Sequence, residues 1–146
     1  MERRKESQAE RERQALILLT LQELAAEVGQ MCLLSGYQRE YPDDSPIYPD
    51  IPREFMTLAD CLDRFPIERL VEVGKAEELR ALRRICLEMA VKHEMHASMA
   101  GARFNILHRD RVGELQHSAN SISIALQGEI KALCPGKFDK RLRTHL

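Results

Sequence analysis

Tryptophan is absent from this chain, aromatic residues make up only 5% of it, and its four cysteines form no CxxC pair. Few aromatics leave a core of Leu, Ile, Ala, Met and Val, which suits helix-on-helix packing better than a sandwich of strands. Without CxxC, neither a zinc ribbon nor a thioredoxin-like redox motif is encoded. A net charge of -1 sets up no global field toward nucleic acid or an anionic membrane. The longest apolar run, "ALILL" at 15–19, is too short for a signal or membrane segment. There is no Gly-rich phosphate loop, no nucleotide fingerprint and no Ser/His/Asp order, so no small-molecule enzyme or cofactor is nominated. The expectation is a cytoplasmic protein with reduced thiols and no membrane partner.

What is present reads as helix after helix. The 146 residues suffice for one domain, 44% hydrophobic and 31% charged. Residues 2–35 predict one long helix, its first 13 residues charged enough to fray. Ile17, Leu21, Leu24, Val28 and Met31 follow a four-three rhythm, the a/d seam of a helix that recruits another. Leu18, Ala25 and Cys32 widen that stripe toward a bundle, and Gly36 is placed to end the helix. Thr57 opens "TLAD", a capping box for a short helix over about 58–64, and Pro66 can start another that ends near Gly74. Leu79, Leu82, Cys86, Met89, His93 and His96 carry a helix from Ala76 to about Arg109. Val112, Leu115, Ala119, Ile122, Leu126, Ile130 and Leu133 carry the last one from about Asp110 to Leu133. The pattern leaves open whether these two are distinct or one bent rod. "CPG" at 134–136 is the stop.

One stretch breaks the pattern. "YQREYPDDSPIYPDIP", residues 37–52, holds all three tyrosines and four of the six prolines. Pro46, Pro49 and Pro52 stand three apart and stack on one edge of a polyproline II rod. Tyr48 and Ile51 then form a greasy edge for the chain's own helices or for another protein. The expected connection is extended and acidic over about 36–56. Residues 37–63 carry Arg39 and Arg53 against seven carboxylates, whereas the tail 135–146 is basic. That contrast predicts either internal docking of the tail, through Phe138 and Leu142 four apart, or an arm for nucleic acid.

Three constellations carry candidate chemistry. Cys86, His93 and His96 share a helical face and are of zinc-ligand type, although the HExxH spacing is missing. Arg80, Arg83 and Arg84 follow a helix–Gly–helix segment as in a DNA-binding helix-turn-helix, with Leu70 where a small residue normally sits under the turn. In "RFNILH", Arg103 and His108 have the Arg-x4–6-His spacing, which resembles HEPN ribonucleases. That resemblance spans six residues and implies two side chains, usually across a dimer, that polarise an RNA phosphate. Phe104 stands where the family often has a polar residue, and Arg111 with His117 satisfies the same spacing.

Together these features predict an all-α bundle with two or three long helices, two short helices and a Pro/Tyr-rich extended connection. The expected function is non-catalytic: a regulatory, adaptor or assembly protein that self-associates as a homodimer or higher homo-oligomer. Its partner-binding residues are Ile17, Leu21, Leu24, Val28, Met31, Tyr48 and Ile51. The rival readings are the HEPN-like ribonuclease and the helical DNA-binding regulator.

Overall fold

The computed structural model describes the backbone of residues 2–40, 51–95 and 101–143, and the side chains of 7–35, 51–95 and 108–143. Among the described residues five helices follow in order: α1 (Glu2–Glu40), α2 (Ile51–Asp63), α3 (Ile67–Glu72), α4 (Ala76–Met95) and α5 (Gly101–Leu133). No strand occurs among the described residues, and the fold is an all-α bundle.

Two antiparallel pairs build it. α1 packs along α5, and α2 along α4. The direction of the first pair follows from Gln22, whose Nε2 donates to Ser123 Oγ at 3.1 Å, together with Gly29 opposite Asn120. That of the second follows from Phe55, whose ring stacks on His93 at 6.3 Å, and from the Arg83–Asp63 pair. α5 also returns antiparallel to α4, held by Arg111–Glu88 at one end and Lys75–Glu129 at the other. The last two helices are therefore distinct elements, and α5 begins at Gly101, earlier than the apolar pattern indicates.

The buried face of each helix keeps the three-four rhythm. On α1 it is Ala15, Leu18, Leu19, Leu21, Ala25, Val28 and Cys32, and on α5 Val112, Leu115, Ala119, Leu126 and Ile130. Phe55, Leu62, Leu82 and Met89 fill the space between α2 and α4. Each such side chain, fully removed from water, contributes about 1.5–3 kcal/mol. A Cβ on Gly29 would clash with Asn120 Oδ1, so α1 and α5 approach closely where only glycine leaves room for that amide.

Turn chemistry matches expectation at two places. Gly74, at φ 69°, ends α3 in a Schellman arrangement: Lys75 N–H donates to Leu70 O at 2.8 Å, and Gly74 N–H to Val71 O at 3.1 Å. Gly136, at φ 77°, follows Pro135 and redirects the chain after α5. Residues 138–142 then make one helical turn that buries Phe138 and Leu142. The basic tail thus docks on the bundle. Its cations pair with α1, Lys137 with Glu12, Arg141 with Glu23 and Arg143 with Glu27.

The region around the prolines departs from expectation. α1 passes through Gly36 to Glu40, since an interior glycine costs a helix only about 1 kcal/mol. α2 starts at Ile51 rather than after Thr57, because Pro52 falls in its first turn, where a missing N–H is harmless. Thr57 accordingly lies inside the helix, its Oγ1 donating to Arg53 O at 3.0 Å instead of capping. The greasy edge divides: Ile51 is buried at the head of α2, and Tyr48 lies outside the described residues.

Candidate docking face

The seam expected to bind a partner lies largely inside the bundle. Leu21 and Val28 are fully buried, Ile17 is buried, and Leu24 and Met31 are half-buried against the same core. Adding Leu18, Ala25 and Cys32 to a seam makes it wide enough to be covered mainly by α5, with lighter contact from α2 and α4. The apolar surface left over sits one step round the helix. Leu16 stands out from the otherwise buried "ALILL" run with 44% of its surface exposed.

Leu16 belongs to a groove. Because α1 leans on α5 and α2 on α4, α1 and α2 touch only lightly along their length. α2 closes with Arg64 N–H donating to Asp60 O and Phe65 N–H to Leu62 O, and extended Pro66 then redirects the chain into α3. Between this corner and α1 lies a concavity of about 740 Å³. Its floor and walls are apolar: Leu16, Ile17 and Leu24 from α1, then Cys61, Phe65 and Pro66.

Its two ends carry opposite charge. Arg13 lies toward one end of the α1 wall, paired with Glu72 of α3 and so beside the α3 residue Arg69, with Glu23 and Glu27 toward the other end and Arg64 on the α2 side. Arg13 is held in place by Glu10 and by Glu72 of α3, at 2.8 and 2.9 Å. Glu10 and then Glu72 keep its guanidinium charged well above the ordinary arginine range, and the same contact lowers the Glu10 carboxyl. Glu23 and Glu27 meet tail arginines only at 3.9 and 3.8 Å, beyond hydrogen-bond reach.

His93 is buried, bonded to Ser35 Oγ at 2.5 Å and stacked on Phe55. Cys86 is buried near Cys32, and burial pushes both thiols up to about 12. His96 lies outside the described residues, among which no group of three His, Cys, Asp or Glu is gathered for a metal. Arg103 and His108 both fall on the continuous helix α5. The Arg103 side chain lies outside the described residues. Arg80 pairs with Glu77 and Arg83 with Asp63, while α3, the would-be first helix of a helix-turn-helix, has six residues.

Sequence reasoning passed over Gln22. Fully buried among leucines, it donates from Nε2 to Ser123 Oγ and to Arg143 O at 3.1 Å, and accepts from Arg143 N–H at 3.3 Å. A single amide inside an apolar stripe was the available signal. Within Ser7–Ser35 of α1, an 18-residue window reaches a mean hydropathy of 1.4, enough by length and composition alone to cross a membrane, and half of that window is buried in the bundle. Thr20, Gln22 and Glu23 interrupt the apolar run without lowering its average enough. Comparison of the chain with known protein families, curated proteins and solved structures finds no match.

Proposed function

We propose that this is a non-catalytic helical interaction protein, a regulator, adaptor or assembly factor, that self-associates through the groove between α1 and the α2–α3 corner. The observation that carries the reading is the groove itself: an apolar concavity of about 740 Å³ with one basic and one acidic end. Clefts of this kind accept the apolar face of an amphipathic helix, with the rim charges setting its direction. A cytoplasmic setting is consistent with four free thiols, two of them in the core.

Sedimentation velocity over a range of protein concentrations tests the reading. Self-association is expected for the wild type and should be weakened by Leu16→Glu, a change at a half-exposed position that should cost the fold little. Cys61 supplies a second readout, since it lines the groove and is exposed in the protomer. Its alkylation rate should fall as association proceeds. A wild type that remains monomeric, with Cys61 equally reactive at every concentration, overturns the reading.

A further inference from the structure

The outward stripe of α1 is self-complementary. Counted from Thr20, Leu16 and Leu24 stand four residues to either side, and Arg13 and Glu27 seven to either side. Offsets of four and seven fall on one helical face. The stripe therefore reads as charge, leucine, threonine, leucine, charge in both directions, with the charges opposite in sign. All five residues line the groove.

We propose that the occupant of the groove is α1 of a second copy of the chain, antiparallel, with a two-fold axis passing beside Thr20. This rests on the interaction reading above and gives it a geometry. Antiparallel packing sets Leu16 against the partner copy's Leu24 and Arg13 against its Glu27, and the two-fold axis makes every contact twice. Parallel packing would instead oppose Arg13 to Arg13 and Glu27 to Glu27, a like-charge arrangement that is costly at an interface. The groove's walls reinforce the choice, because Arg69 adds to the Arg13 end that receives the incoming acidic end. Arg13 uses Nε and Nη2 for Glu10 and Glu72, so Nη1 is the donor available to the second copy. At the axis, the Thr20 hydroxyl already donates to Leu16 O at 3.2 Å and brings no orphan donor into a dry contact.

Charge exchange between copies provides the test. Arg13→Glu alone and Glu27→Arg alone should each weaken self-association about tenfold. Mixing the two variants should restore it to near the wild-type level, since both cross-pairs are then opposite in sign. A merely structural role for either residue predicts no such rescue. Independently, Thr20→Cys with Cys61 and Cys134 changed to Ser should oxidise to a covalent dimer, while Ile124→Cys on exposed α5 in the same background should not. Association without rescue or cross-linking overturns the antiparallel geometry and leaves the interaction reading standing. Absence of association in the wild type overturns both.

Discussion

At the residue scale, the most constrained side chain is Gln22. One amide satisfies Ser123 of α5 and both backbone groups of Arg143, so it joins the first helix, the last helix and the tail at a single buried point. Gln22→Leu fits the apolar surroundings but leaves the Arg143 N–H and C=O without their partner, at a cost of about 1–3 kcal/mol. Denaturant titration should read that loss, and hydrogen exchange should become faster at 138–143 than elsewhere. Uniform exchange would show that Gln22 does not latch the tail. The cysteines differ as sharply. Burial first, and for Cys32 also the nearby Cys86, raises both thiols from 9.0 to about 12. A thiol-disulfide reagent at mildly alkaline pH is expected to titrate Cys61 first and half-buried Cys134 more slowly, with Cys32 and Cys86 reacting only on unfolding. Early reaction of a third thiol would contradict the packing of the α1–α4 contact.

At the scale of elements, α1 and α5 are locked by the close approach at Gly29. Alanine there gains about 1 kcal/mol of helix propensity but displaces Asn120. Gly29→Ala should therefore stabilise an Asn120→Ala protein by about that amount and the wild type by less, and strict additivity in the double-mutant cycle would refute the contact. α4 and α5 are joined by Arg111, which forks onto Glu88 through Nε and Nη2, each at 2.7 Å. The hydrogen bond from Arg111 holds the Glu88 carboxyl below its ordinary value of 4.5, with the charges of Arg111 and Lys92 adding to it. A lowered folded-state value contributes stability that is fully present above about pH 4.5 and is lost as pH falls through the folded value. Glu88→Gln should thus lower the unfolding midpoint at neutral pH, and the difference from wild type should close in acid. Most of the elements were legible in the sequence, because Leu79, Leu82, Cys86, Met89 and His93 mark α4 as plainly as Val112 to Ile130 mark α5. The ends were not: Gly36 and Pro52 are stop signals only on average, and a helix passes through one and encloses the other. The tail shows the same limit. Phe138 and Leu142 made docking one of two readings of the tail, but the carboxylates that receive its cations, Glu12, Glu23 and Glu27, are dispersed along α1 and invisible to a count of charged segments.

For the whole molecule, the sequence marked α1 as apolar along one face but not which part of that face is left exposed. Periodicity identifies an apolar face, and a helix with a wide one hides the strongest part of it in its own core, as Leu21 and Val28 do here. The free face shows only after α5 and α2 are in place, as a leucine with 44% exposure beside a corner made by Pro66. If that face is covered by a second copy, folding and association are linked. A species that binds the native protomer and not the unfolded chain raises apparent stability in proportion to the logarithm of its concentration over the dissociation constant. The thermal midpoint of the wild type should then climb as protein concentration is raised. That of Leu16→Glu should stay flat and match the wild type at its most dilute, because a half-exposed leucine contributes little to the protomer itself. A Leu16→Glu midpoint below that of the dilute wild type would mean that Leu16 supports the protomer's own core, and a flat wild-type midpoint would mean that the groove stays open to solvent.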